Sequence, residues 1–417
     1  MALFKNIPDY LIILIWDFMM ESVAHGPKLP FVLASICKSW RKLACNRRML
    51  WAKILAIQKL SERGVNQYLT LCLTRSRPLS LSIDAQHAEA DVLSILQREI
   101  RRWGHLSCHK SNYVAVTDIL RRHHAIPTNC LTSLKSVNLN FGVTDHLKDT
   151  RRPNPGYEQL WPALESLSIT CRTPSNYFHL MPPSLTELKL RCQILSTKML
   201  FDILSTCPTL LSIDLMVLKV HLSPKTRSSV SNPSVLNLKR LTIAAGKILG
   251  LIVPFASSLI SVVLTPSNLV KEPIFPTPET MFVSNLKSLT IYVSSEMPND
   301  RMLELVKLLG FLPALEYLVV RGSREDPIFV NVASLFGWIN NAVHNDILRS
   351  LVELELRFVD LRSSFGNLLQ VAERMVNFTD HRDKKPKIIF MGCLGTEQYA
   401  GNTLEKIIAV DYLAVER

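Results

Sequence analysis

Six side chains able to bind a metal ion fall within a run of twenty-six residues: His105, Cys108, His109, His123, His124 and Cys130. Imidazole and thiolate are ordinary ligands of zinc, so the residue types invite a metal centre. Their spacing matches no zinc frame, and His105 to His109 straddles the end of an expected strand. Asp380-His381-Arg382-Asp383 sets acids beside an imidazole, yet it reads as a charged loop ahead of an expected strand at Ile388–Met391. No G-x-S-x-G elbow, H-E-x-x-H pair or G-x-G-x-x-G or G-x-x-x-x-G-K phosphate loop occurs, and a chain with 14 glycines is a poor candidate for such loops. The expectation is a chain without catalytic residues, cofactor or metal.

Bulk properties narrow the class further. The nine cysteines are scattered, with no C-x-x-C pair. The apolar run from Tyr10 to Met20 is broken by Asp17, too short to span a bilayer and unlike a signal peptide. Free thiols in a reducing compartment, cytoplasm or nucleus, are expected, with no membrane partner. A hydrophobic content of 47% indicates a folded chain. The net charge of +13 suits either nucleic acid or an acidic protein partner. From Lys38 to Lys53 every charged residue is basic: Lys38, Arg41, Lys42, Arg47, Arg48 and Lys53.

The stretch from Phe4 to Trp51 positions those cations. Pro8 suits the first turn of a helix. Leu11, Ile12 and Ile15 follow at helical spacing, with Trp16 and Met19 extending the apolar surface. Leu33, Ile36, Cys37, Trp40, Leu43 and Ala44 step by three and four, which predicts one side of a second helix. Helices this short bury little alone and leave apolar groups in need of another surface.

In order, Ile7-Pro8, Leu11-Ile12, Ile15-Trp16, Ile36-Cys37-Lys38-Ser39-Trp40 and Leu50-Trp51 resemble an F-box, whose pattern runs Leu-Pro, an acid, Leu-Leu, Ile-Phe, Val-Cys-x-x-Trp and Leu-Trp. Ile7 replaces the first Leu, Tyr10 stands where an acid is usual, and Trp16 replaces Phe. The segment from Met20 to Pro30 is longer than most. The resemblance implies that Ile7, Pro8, Leu11, Ile12, Ile15, Leu33, Ile36, Trp40 and Leu43 dock, or shape the surface that docks, an acidic adaptor subunit and through it a cullin.

Beyond a junction that reads strand, helix, strand, helix, a frame Leu-x-x-Leu-x-Leu recurs, with Ile or Val allowed. It falls at Leu134-Val137-Leu139, Leu164-Leu167-Ile169, Leu185-Leu188-Leu190, Leu210-Ile213-Leu215 and Leu238-Leu241-Ile243. It continues at Leu259-Val262-Leu264, Leu286-Leu289-Ile291, Leu315-Leu318-Val320 and Leu351-Leu354-Leu356. Leucine-rich repeats run about 20 to 29 residues with one strand each, close to most of these spacings. The array resembles the irregular repeats behind fungal-type F-boxes. It lacks the Asn or Cys that the family often places three residues after the last frame leucine, so the bend needs other hydrogen bonds.

Helices are expected over Ser196–Cys207, Asp300–Leu309, Val332–Val343 and Phe365–Val376, and loops over His146–Pro162 and Leu218–Asn237. The fold class is therefore α/β: a helical F-box at 1–55, a junction at 56–130, a solenoid of parallel strands with a concave face and a helical convex face at 131–395, and a cap at 396–417. Residues alternating with the frame point away from the core. Asn138, Ser168, Lys189, Arg191, Asp214, Arg240, Thr290, Tyr292, Tyr317, Arg321, Glu355 and Arg357 are thus candidates to bind a target protein of unknown identity. Acids at Glu187, Asp214, Glu353 and Glu355 interrupt any continuous basic stripe, which disfavours nucleic acid.

By resemblance the chain is a target-recognition subunit of an SCF-type ubiquitin ligase. The alternative is a protein-interaction scaffold with a degenerate F-box that joins no ligase.

Overall fold

The computed structural model describes residues 7–21, 29–54, 62–85, 90–109, 115–116, 118–119, 133–142, 161, 163–174, 181–221, 237–244, 252, 256–265, 285–293, 309, 312–322, 350–359, 361–362, 365–378, 386–391, 393, 396 and 408–413. It divides into two compact units, one of residues 1–172 with 176–185, the other of 173–175 with 186–417.

The first unit opens with four helices: α1 (Asp9–Glu21), α2 (Leu29–Ile36), α3 (Lys38–Asn46) and α4 (Arg48–Ala52). Pro8 sits just before α1, where its missing N–H costs nothing, and its carbonyl accepts from the Leu11 and Ile12 amides at 3.0 and 3.3 Å. The single helix expected through Leu33–Ala44 is two. Cys37 adopts an extended backbone and its Sγ accepts from the Trp40 amide, capping α3 and turning the chain after Ile36. A capping side chain between two apolar runs interrupts a helix even where the periodicity continues.

The core beneath is aromatic. Trp16, Trp51 and Trp103 are fully buried, and Trp51 donates to the Ala44 carbonyl at 2.7 Å. Leu50 and Trp51, the closing pair of the sequence pattern, both lie inside. α5 (Glu62–Arg75) brings Arg75 over the Trp51 ring, 4.4 Å from its centroid.

Five strands follow: β1 (Lys53–Ile54), β2 (Leu81–Ala85), β3 (Trp103–His109), β4 (Ser136–Asn140) and β5 (Ser166–Cys171), each parallel to the next. Between β2 and β3 run α6 (Ala90–Gln97) and a 3-10 turn at Ile100–Arg102. The short β1 has no counterpart in the sequence reading. Arg102 ties this junction together, donating to the carbonyls of Leu79 and Leu73, to Ser76 Oγ and to Glu99.

The second unit holds nine strands in chain order: β6 (Glu187–Ser196), β7 (Ser212–His221), β8 (Arg240–Ile243), β9 (Ser261–Leu264), β10 (Ser288–Tyr292), β11 (Tyr317–Arg321), β12 (Glu353–Arg357), β13 (Lys387–Met391) and β14 (Ala409–Leu413). All neighbours pair in parallel. Returning helices are described at α7 (Thr197–Thr206) and α8 (Phe365–Phe378). Ser196 caps α7 by accepting from the Met199 amide at 3.2 Å.

Every frame of the sequence falls on one of the strands β4 to β12, and every frame side chain is buried, Leu264 the most exposed at 6%. The frame's spacing is physical. Its last two apolar positions occupy the inward side of a strand, and its first lies in the turn leading into that strand.

The steps from β6 to β12 are locked by the same bond. The carbonyl of the residue just ahead of a strand accepts from two consecutive amides of the next repeat: Thr186 from Leu211 and Ser212, Leu211 from Lys239 and Arg240, Lys239 from Ile260 and Ser261. The bends after β10, β11 and β12, which lack the usual Asn, are satisfied by main chain. Val293, Gly322 and Phe358 donate to the carbonyls of Arg321, Arg357 and Met391 at 2.8–2.9 Å.

β14 lies in the expected cap at 396–417 and pairs with β13. β7 runs on to His221, four residues into the expected loop at 218–237, and Trp161, in the expected loop at 146–162, is buried. Apart from Asn237, the rest of both loops lies outside the described residues. So do the expected helix at Val332–Val343, all of Asp300–Leu309 except Leu309, and the charged run 380–383.

Candidate docking surfaces

α1 has two apolar faces with opposite fates. Ile12 and Trp16 are buried at 3% and 0%, and Trp16 meets Trp40 edge to face with centroids 5.4 Å apart. Leu11, Leu14 and Ile15 remain 39%, 59% and 50% exposed. α2 repeats the division. Leu29 and Leu33 lie inside, whereas Phe31, Val32 and Ile36 are exposed. Phe31 is anchored at its base, edge-on to Trp51 at 5.4 Å and tilted against Tyr68 at 5.8 Å.

Of the nine residues expected to dock or shape this surface, Pro8, Leu11, Ile15 and Ile36 are exposed. Ile7, Trp40 and Leu43 are half-buried, and Ile12 and Leu33 belong to the core. Leu14, Phe31, Val32 and Met49 were not among them, yet each is an exposed apolar side chain. Leu14 was legible, three residues after Leu11 and next to Ile15. Lys38, Arg41, Lys42 and Arg48 are exposed in the same unit, and Arg41 Nε holds the Ala34 carbonyl at 2.9 Å.

The face of each sheet opposite the frames carries the other candidates. In the first unit Asn138 and Ser168 are in register on β4 and β5, both half-buried. In the second unit Lys189, Asp214 and Thr290 belong to one register row, which runs Lys189, Asp214, Thr242, Val263, Thr290, Val319, Glu355, Ile389. Arg240 and Tyr317 share a second row, Ser212, Arg240, Ser261, Ser288, Tyr317, Glu353, Lys387. Tyr292, Arg321 and Arg357 lie side by side in a third.

Lys189, Arg191 and Arg240 are exposed; Asp214, Tyr317 and Arg321 are half-buried. Glu355 is 7% exposed, so the structure spends it internally. Both of its oxygens accept from Arg357, Nε and Nη2 each at 2.7 Å. Lys387 likewise holds Glu353 at 3.0 Å. Asp214 Oδ1 is buried with no hydrogen-bond partner, and burial raises its carboxyl above the usual range against the pull of Arg191 and Lys189.

Of the histidine–cysteine cluster, His105, Cys108 and His109 are described, all three on β3. β3 sends Cys108 into the core, where burial pushes its thiol up to about 12, and burial lowers His105. His123, His124 and Cys130 lie outside the described residues, and among the described residues no three potential ligands converge. Nor, among those residues, is any helix long and apolar enough to cross a membrane. No protein-family model matches the chain, and no curated protein matches it.

Proposed function

We propose that this chain is the target-recognition subunit of an SCF-type, cullin-RING ubiquitin ligase. Its first helices act as an F-box that seats an acidic adaptor, and its strands act as a leucine-rich-repeat array that holds a target protein. The observation that carries the reading is the exposed apolar face of α1 and α2. Leu11, Leu14, Ile15, Phe31, Val32 and Ile36 stay in water although the buried faces of the same helices complete the core without them. Large apolar side chains left exposed on two short helices are what an interaction site offers a partner.

The exposed cations on α3 and α4 complement an acidic partner. They speed and orient docking while the apolar contacts supply the hold. In this mechanism the chain performs no chemistry. It raises the effective concentration of target lysines at the ligase's catalytic partners. The test is co-elution of the full chain with purified adaptor and cullin on size-exclusion chromatography. A ternary peak is the expected result, and separate elution at micromolar concentrations contradicts the proposal.

A further inference from the structure

The open face of the second unit carries one built cluster whose parts are not all used within the chain. Tyr292, Arg321 and Arg357 stand in register on β10, β11 and β12. The Arg321 guanidinium lies 5.1 Å from the Tyr292 ring centroid and 5.9 Å from that of Phe358. Its Nη1 donates to the Tyr292 oxygen at 3.1 Å, which leaves the hydroxyl's own proton available to a ligand. Arg357 spends Nε and Nη2 on Glu355, so its remaining nitrogen still has donors.

The charges do not cancel. Glu355 neutralises Arg357, and among the described residues no carboxylate pairs with Arg321. A half-buried guanidinium set against two rings, with no counter-ion among the described residues, favours an anion from outside.

The backbone has been bent to make it. Phe358 adopts φ 52°, an unusual conformation for a bulky side chain. Its carbonyl oxygen comes so close to Gly322 that a Cβ there would collide with it. A glycine and a strained phenylalanine together place the second ring over Arg321.

The geometry points to an anion subsite at Tyr292–Arg321–Arg357 that takes a side-chain carboxylate from an extended acidic segment of the target protein. It rests on reading the open face as the target surface. The planar fork of an arginine matches a carboxylate, and a tyrosine O–H can donate to the same oxygen pair. The rest of the face continues the complement. Lys189, Arg191 and Arg240 are exposed, with Glu187 exposed and Asp214 half-buried beside them, while Glu353 and Glu355 are held by Lys387 and Arg357. From β6 to β11 is five strand spacings, about 24 Å, a span that an extended segment covers with about seven residues.

The test uses the full chain and a fluorescein-labelled octaglutamate peptide, followed by anisotropy at low and at physiological salt. The expected result is saturable binding that weakens with salt, with no binding of octaglutamine. Arg321→Gln should weaken binding roughly tenfold, about the loss of one charge-assisted contact of 1.4 kcal/mol. Tyr292→Phe, which removes only the hydroxyl, should weaken it severalfold. Lys198→Gln, on α7 away from the open face, should leave it unchanged.

Equal binding by the wild type, Arg321→Gln and Tyr292→Phe overturns the subsite. So does tighter binding of a phosphoserine peptide or of single-stranded DNA than of octaglutamate. Adaptor co-elution of Arg321→Gln separates the two failures. Retained co-elution with unchanged peptide binding removes the subsite alone, whereas a wild type that never meets the adaptor removes the ligase reading and leaves peptide binding standing.

Discussion

Two carboxylates show how single residues carry opposite costs. Burial acts against the charged form of Glu99, but hydrogen bonds from Arg77 and Arg102 outweigh it and lower the carboxyl. A lowered carboxyl adds stability above its unfolded range, lost as pH falls through the folded value. Asp214 has the reverse sign. Burial raises it, so whatever it contributes is present in acid and lost as pH climbs through the raised folded value. Asp214→Asn should therefore melt higher than wild type at pH 7, with the gain fading as pH drops below the ordinary carboxylate range. A calorimetric pH series checks this, and a lower melting temperature for the variant at pH 7 contradicts it. A charge kept where it destabilises fits a binding surface better than a core.

At the scale of the element, α1 divides its work by face. Ile12 packs inward and Leu11 outward, one residue apart. Ile12→Ala should cost about 2–5 kcal/mol of unfolding free energy, the range for a deep core truncation. Leu11→Ala should stay within about 0.5 kcal/mol, as exposed positions do. Denaturant titration of the two variants measures both, and equal losses contradict the division. In the sequence Leu11, Ile12 and Ile15 share one apolar surface, because periodicity marks apolar residues and not which neighbour covers each. The break at Cys37 was hidden for a related reason: a thiol cap leaves the apolar spacing of Leu33 to Ala44 undisturbed. The strands were far more legible. Two inward residues alternating with polar ones, repeated along the chain, place the starts of β4 to β12 within a residue or two, because a half-buried strand has one side to hide; β6 and β7 run on well past their frames. β1 was invisible, since two residues carry no period.

Across the molecule, the net charge of +13 is unevenly used. Some cations close internal pairs, as Arg102 does with Glu99, Arg357 with Glu355 and Lys387 with Glu353. Others, Lys38, Arg41, Lys42 and Arg48 in the first unit and Lys189, Arg191 and Arg240 in the second, face solvent. Composition gave the total, and pairing decided which cations are left facing solvent. The bend chemistry was likewise out of reach of pattern: the missing Asn predicted a gap, and main-chain bonds from Val293, Gly322 and Phe358 fill it. The account depends most on apolar side chains of α1 that serve another protein and not this one. The direct measurement is the pair of melting temperature and adaptor co-purification for the double variant Leu11→Asp, Ile15→Asp. The account predicts a melting temperature within about 2 °C of wild type, as for solvent-facing positions in a chain of this size, with adaptor capture lost. A variant that still captures the adaptor, or one that unfolds, would contradict it.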